Sequence, residues 1–326
     1  MTPGPSSAPF SIALLGWARL ALQEREGSGY NLNVSELARA LALRGHRVSY
    51  LRSGMEYSLK PSLRLGHHEP WNHVRCDFVF NSPNLAPAFF NFANLQPELR
   101  SPALTQLVLH WLDDVRADLV HIHSLEGFSL DLPAAIRDSG RPVVITPHNH
   151  WYLCPQVDLL YREREVCEDY QGGQRCESCL SPPSRARVKA SAGLARALDR
   201  ALHLSTHPSR ALWRRALRRL AAPPRVDPPR DAPPPPIPPD QSERFLRANA
   251  QIRVLNAFGE RRAAALAALN AASLVTPPSP WLCEVLSTMG VRDDRLRLVR
   301  LGQPHFDALR HAAIAHPEYA NPPWSP

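Results

Sequence analysis

Four histidines stand at the ends of two short apolar runs. Asp118-Leu119-Val120-His121-Ile122-His123 leads into Ser124-Leu125-Glu126-Gly127, and Pro142-Val143-Val144-Ile145-Thr146-Pro147 leads into His148-Asn149-His150-Trp151-Tyr152. A neutral imidazole donates from one nitrogen and accepts at the other, so such a cluster can bind hydroxyls or handle protons near neutral pH. Runs this short, rich in Val and Ile and bounded by Pro, Gly and polar residues, are the pattern of buried strands in a parallel sheet. Polar groups just past such strands lie where open α/β sheets bind ligands. His121, His123, His148 and His150, with Asn149 and the Glu126 carboxylate beside them, are therefore expected to face a cleft.

A second chemical set follows at once: Cys154, Cys167, Cys176 and Cys179. The closing Cys-x-x-Cys and small span suit a tetrahedral thiolate zinc site, although the spacing is not that of a standard zinc finger. Structural zinc, free or redox-active thiols, and disulfides are the three readings. A metal would explain how a loop-rich stretch with Gly172-Gly173 holds its shape. Cys76 and Cys283 read as buried single cysteines. A third set is Gly27-Ser28-Gly29, between a strand and a helix start. Glycine lets backbone N–H groups approach a phosphate there, and the helix N-terminus favours an anion. The full Gly-x-Gly-x-x-Gly is missing, so a tight turn with no ligand is the alternative.

The elements that must position these groups alternate. Ser11–Gly16 reads as a first strand and Asn33–Arg44 as a helix closed by Gly45. Arg47–Leu51 is a second strand, and residues 54–98 are loop-rich with no clear order. Ala103–Val115 reads as a helix, Asp118–Ile122 as a strand, Leu132–Ser139 as a helix and Pro142–Ile145 as a strand. Arg185–His203 and Ser209–Ala222 read as arginine-rich helices, and residues 223–239 hold ten prolines in seventeen positions, a polyproline spacer. Gln241–Ala272 reads as helix, Ser273–Thr276 as a short strand, Pro280–Met289 as a helix and Leu296–Leu301 as the last strand. This alternation implies a doubly wound, mainly parallel Rossmann-like α/β sheet. Residues 1–310 then form one domain, with a cysteine-bearing excursion at 154–180 and an insert at 223–239. Residues 311–326 read as a disordered tail or interdomain linker.

Composition sets outer bounds. The chain has 326 residues, 34 prolines and a net charge of +8, carried by arginine apart from Lys60 and Lys189. Such charge favours anionic partners, and the crowded Arg214, Arg215, Arg218 and Arg219 suit an anionic membrane surface. A solvated helix face, or a compositional habit of the source genome, accounts for it equally. No apolar run reaches the length of a membrane span, and residues 1–15 lack the basic start and apolar stretch of a signal peptide. A cytoplasmic protein with reduced or metal-bound cysteines is expected.

In order and spacing these pieces resemble the N-terminal, acceptor-side half of family 4 glycosyltransferases of the two-domain GT-B fold. The resemblance rests on Gly29 with Leu37–Val48, on Ala117–His123, on Pro142–Pro155 with the cysteines behind it, and on Leu274–Leu282 and Met289–Gly302. It implies a retaining transfer of sugar from a nucleotide-sugar donor to a glycan or lipid-linked acceptor, with a cell-envelope polysaccharide as the setting. It implies that His123, the second histidine of a strand-end His-x-His, lies between acceptor and donor sugar and serves catalysis. Gly29, Ser28, His148, Asn149, His150 and Glu126 become the substrate-binding candidates, and Trp151 and Tyr152 either stack on a sugar ring or join the core. His121 is assigned to the opposite strand face as a packed, hydrogen-bonded histidine. Relatives commonly carry His-Asp at 148–149 and two adjacent glycines at 28–29; this chain has Asn149 and Ser28. Catalysis needs no metal in GT-B enzymes, so any zinc on Cys154, Cys167, Cys176 and Cys179 would be structural.

The resemblance also implies a donor-binding domain, with a Glu-x7-Glu type motif, after the stretch matching 296–302, and the sequence does not continue far enough to hold one. A truncated enzyme or half of a split enzyme, acting with a separate donor-domain chain, is expected on that basis. The rivals are a non-catalytic binding module and a zinc-stabilised nucleic-acid-binding protein. Against nucleic acid, the arginines interleave with no recognised motif.

Overall fold

Strand β1 (Ser11–Gly16) is buried along its whole length, at the middle of the sheet. Its side chains alternate. Ala13 and Leu15 join one apolar cluster, and Ile12 and Leu14 join another on the opposite face. A sheet covered on both faces follows from that one strand. The computed structural model describes residues 8–21, 29–58, 60, 62–86, 94–162, 164–180 and 240–302. The sequence-expected helices at 185–203 and 209–222, the proline segment 223–239, the tail 311–326, and Gly27 and Ser28 lie outside them.

In chain order the elements are β1, α1 (Gly29–Leu43), β2 (Arg47–Glu56), β3 (Arg64–Trp71), β4 (Val74–Phe80), α2 (Gln96–Leu99) and α3 (Pro102–Asp114). Then come β5 (Leu119–Ile122), α4 (Leu132–Asp138), β6 (Val143–Ile145), β7 (Leu160–Tyr161), β8 (Glu165–Val166) and α5 (Gln174–Cys179). The last are α6 (Gln241–Asn249), α7 (Ala257–Ala271), β9 (Leu274–Val275) and α8 (Pro280–Thr288). Seven strands form one sheet in the order β3-β4-β2-β1-β5-β6-β9, parallel throughout except for the antiparallel β3–β4 pair. Helix α1 packs Val34 and Ala38 on one face of it. Helices α3, α4, α7 and α8 bring Val108, Trp111, Ile136, Leu269 and Leu286 to the other. Burying each such side chain contributes about 1.5–3 kcal/mol.

The winding reverses between β1 and β5. From β1 the parallel strands run one way through β2 to β4, and the other way through β5 and β6 to β9. In a doubly wound sheet the crevice at that reversal, beyond the carboxyl ends of the strands, is where ligands lodge. The His123 N–H donates to Leu15 O at 2.9 Å and the Thr146 N–H to Ile122 O at 2.9 Å. The residues just past β5 and β6 are thus stitched to the neighbouring strand ends.

Four sequence expectations need correction. Residues 54–98 are not mainly loop: β2 runs on to Glu56, and β3 and β4 add an antiparallel hairpin at the sheet edge. Gln241–Ala272 is two helices, broken before Asn256, whose side chain accepts from the Phe258 and Gly259 N–H groups and caps α7. Residues 296–301 form no strand; Leu296 makes a single bridge to Val275, and Leu298 and Val299 are exposed. Cys76 is buried, but Cys283 is only partly so.

Candidate functional site

Three strand ends supply the site. Beyond β5, the turn 123–127 is pressed onto the end of β2. Gly127 has φ +82°, and a Cβ there would meet Ser53 O at 2.4 Å, so only glycine fits. Ser53 and Ser82 hydroxyls both donate to Gly127 O, at 2.5 and 2.8 Å. That clamp fixes Ser124, Leu125 and Glu126 in the wall of a pocket. Beyond β6, His148, Asn149, Trp151 and Tyr152 form the facing wall, and Tyr30 from the first turn of α1 closes the floor. The Tyr30 hydroxyl accepts from the Trp17 and Ala18 N–H groups at 3.2 and 2.9 Å, tying α1 to the end of β1.

His123 and His148 meet at the centre. His123 Nδ1 lies 3.0 Å from His148 Nε2, and the rings stack with centroids 5.4 Å apart. One of these nitrogens must donate and the other accept, so the two tautomers are complementary. Their outward nitrogens, His123 Nε2 and His148 Nδ1, must then be one donor and one acceptor. Both outward atoms are buried without a hydrogen-bond partner, as are Trp151 Nε1 and Tyr152 Oη in the same walls. A hydroxyl group, donor and acceptor at once, is the complementary ligand. Buried polar atoms left unpaired are costly, so their concentration in one pocket marks a binding site.

Electrostatics keep the imidazoles neutral. Burial, with neighbouring imidazoles adding to it, pushes His123 well below the usual histidine range and His121 down to about 3. Burial alone lowers His148 to about 4. At neutral pH the pair hydrogen-bonds without carrying charge. Burial raises the phenols of Tyr30 and Tyr152, with Glu126 contributing, so both stay protonated.

His121 departs from expectation. It is not on the opposite face: side chains two apart on a strand share a face, and its ring lies 4.0 Å from that of His123. It is indeed hydrogen-bonded, to Thr146 Oγ1 at 2.8 Å, and Thr146 Oγ1 in turn meets Thr276 Oγ1 at 2.6 Å. His150 is not among the pocket walls. Its ring bonds to the Val157 main chain, and its carbonyl accepts from Leu153 and Cys154. Asn149 does line the pocket, but its Oδ1 accepts from the Trp151 N–H at 3.0 Å and shapes the turn. Gly29 opens α1 away from the pocket walls, with nothing within 4 Å of where a Cβ would sit.

Sequence reading missed the residues that hold the aromatic wall. Arg261 of α7 forms a fully buried ion pair with Glu98, donates to Trp151 O at 2.9 Å, and stacks over the Trp151 ring. Arg262 donates to Leu153 O and stacks 3.4 Å from the Tyr170 ring centroid. Trp151 and Tyr152 consequently belong to the core and line the pocket together. One missed signal was readable. Ile145-Thr146-Pro147 and Val275-Thr276-Pro277 repeat a pattern at two strand ends, and the ladder pairs Ile145 with Val275.

The four cysteines gather elsewhere. Cys154, Cys167, Cys176 and Cys179 line a second pocket with Leu160, Tyr161 and Arg175, beyond the same 146–155 turn. All four are free thiols. Among the described residues no group of three or more His, Cys, Asp or Glu has its side chains placed to hold a metal ion. Nor is any helix among the described residues long and apolar enough to cross a membrane.

Comparison with known proteins adds one positive finding. The model of a family described as Glycosyltransferase Family 4 matches residues 28–223, more than half of the chain. That span holds His121, His123 and His148 and all four cysteines of the second pocket. No curated protein matches the chain.

Proposed function

The chain belongs to glycosyltransferase family 4, and on that premise we propose that the histidine pocket holds the acceptor hydroxyl of a sugar transfer. The observation that carries this reading is the pair of outward nitrogens, His123 Nε2 and His148 Nδ1, both buried, unpartnered and necessarily of opposite hydrogen-bonding sense. His123 is the catalytic candidate. Its neutral ring positions the hydroxyl oxygen and stabilises charge as the sugar is transferred. His148 fixes the tautomer of His123, and Tyr152 and Trp151 offer further donors to the acceptor. The buried Glu126 lies in the same wall.

The finer assignments follow the family. The donor is a nucleotide-sugar, held by a donor-binding lobe or a separate donor-domain chain that closes over the strand ends. Transfer retains configuration at the sugar carbon, and the acceptor is a glycan or lipid-linked sugar. Residues 1–310 act as the acceptor-side domain.

The test is transfer from a panel of nucleotide-sugars to glycan acceptors, with and without a donor-domain chain, comparing the native protein with His123→Ala and His123→Gln. Loss of one hydrogen-bonding group at the reacting centre costs about 10²–10³ in rate. His123→Ala is expected to lose that much, with its circular dichroism unchanged. Undiminished transfer by a folded His123→Ala removes His123 from the site.

A further inference from the structure

The segment 154–180 has little apolar core of its own. Its strands β7 and β8 are two residues each and α5 is six. Yet it holds demanding backbone conformations. Of the eight non-glycine residues with positive φ among the described residues, four fall here: Val157 (φ 70°), Leu159 (59°), Arg162 (53°) and Gln171 (52°). A β-branched residue such as Val157 adopts that region only when its surroundings enforce it. Tyr170 Oη to Arg253 O and Asn249 Nδ2 to Glu168 O anchor the far end, and local bonds, among them the His150 ring to the Val157 main chain and Arg162 Nε and Tyr161 Oη to Ser178, hold the 157–162 turns. What those turns do surround is sulfur.

Four thiols line the one pocket. A main-chain N–H already meets one of them: Arg162 N lies 3.1 Å from Cys179 Sγ. A thiol is a weak acceptor, whereas a metal-bound thiolate is a strong one whose lone pairs are commonly met by such donors. Cationic groups stand by as well. Arg175 is in the pocket wall, and the buried guanidinium of Arg262 interacts with Cys154, Cys167 and Cys176. Four thiolates round a divalent cation carry a net charge of −2, and cations placed there offset it.

We propose that Cys154, Cys167, Cys176 and Cys179 together bind one thiophilic divalent cation, of which zinc is the probe, in a tetrahedral site that cross-links the 154–180 segment. The sulfurs are not yet converged. The movement the site requires is rotation of the four side chains about Cα–Cβ to other staggered rotamers. Binding replaces each S–H bond by a metal–sulfur bond and releases the proton to solvent, with no change of oxidation state. The ion is structural: four protein ligands leave no open position for substrate or water. Because Cys154 closes the turn that carries His148 and Trp151, the ion also braces one wall of the histidine pocket.

The experiment uses the full chain, prepared without chelator, and reads metal rather than transfer, so it fails or succeeds independently of the sugar-transfer reading. One zinc per chain is expected by elemental analysis. Replacement by cobalt is expected to give thiolate-to-cobalt charge transfer and the intense visible bands of a tetrahedral site. Cys176→Ser and Cys179→Ser should each weaken zinc binding by more than the roughly 10–100-fold that outer-shell changes cost, while Cys283→Ser leaves it unchanged. If the serine variants do not fold, the cobalt titration of the native chain decides. Substoichiometric metal without the cobalt spectrum overturns the proposal. That outcome stands whether the thiols then react freely with a disulfide reagent or mass spectrometry shows two fewer hydrogens per bridge.

Discussion

The histidine and cysteine pockets lie at the two ends of one turn, His148 entering it and Cys154 leaving it, yet they are held by opposite means. The first hangs from strand ends whose positions are set by parallel ladders on both sides of β1 and β5. Its polar atoms stay unpaired because the sheet, not the ligand, fixes the walls. The second is framed by two-residue strands, left-handed turns and a six-residue helix. The contrast teaches that a pocket at strand ends is preorganised by distant packing, while one built from irregular chain must be fixed by something inside it.

The sharpest way to break the comparison is to remove a side chain that holds the turn between the two regions. Arg261 pairs with Glu98 in the core, and both are at most 2% exposed. Arg261→Ala leaves the Glu98 carboxylate buried and unpaired, and is expected to cost about 3–5 kcal/mol in urea unfolding. Hydrogen exchange should then rise in both pockets. A loss confined to residues 150–154 would show that the pair braces one wall alone.

Acid separates the two regions. His148 and His121 have folded values of about 4 and about 3, below the roughly 6.5 of an unfolded histidine. Their contribution is complete above pH 6.5. As pH falls below that, the unfolded chain takes up protons that the folded chain refuses. Stability is then lost at up to about 1.4 kcal/mol per pH unit for each ring, until the folded values are reached. Melting temperature measured from pH 7.5 to 4.5 should fall in that window, and His121→Gln should flatten the slope. An unchanged slope would mean that the rings are not buried neutral.

Smaller changes probe the threonine contact and the turn. Thr276→Val keeps the shape but deletes the hydroxyl that meets Thr146, and should cost about 1 kcal/mol by denaturant titration. It should leave the cysteine segment's exchange untouched. Asn149→Asp retains an oxygen to accept from Trp151 N, so its effect on stability should stay within about 0.5 kcal/mol. A larger loss would show that the amide, not the carbonyl oxygen, is what the turn requires.

How much was legible follows from where each signal resides. The apolar runs 119–122 and 143–145 read as strands because a strand buried on both faces is continuously hydrophobic. Strand β3 was missed because it lies at the sheet edge, carries Arg64, His67, His68 and Glu69, and ends with Pro70 beside Trp71. Edge strands are polar by need and lack that signal. Residues 296–301 misled in the opposite sense: an apolar–polar alternation is present, but only Leu296 finds a partner strand. The break at 250–256 could have been read from Asn256 with Gly259 three residues on.

Sequence alone determined the alternation of strands and helices, the placing of His123 and His148 just past strand ends, and the grouping of four cysteines behind them. These are properties of neighbours along the chain, where apolar period and turn residues act directly. Tertiary structure alone decided that His123 Nδ1 meets His148 Nε2, that Thr146 meets Thr276, and that Arg261 meets Glu98 across 163 residues. Those contacts depend on strand order and ladder register. Both are set by how the whole apolar core packs, and no local pattern encodes that.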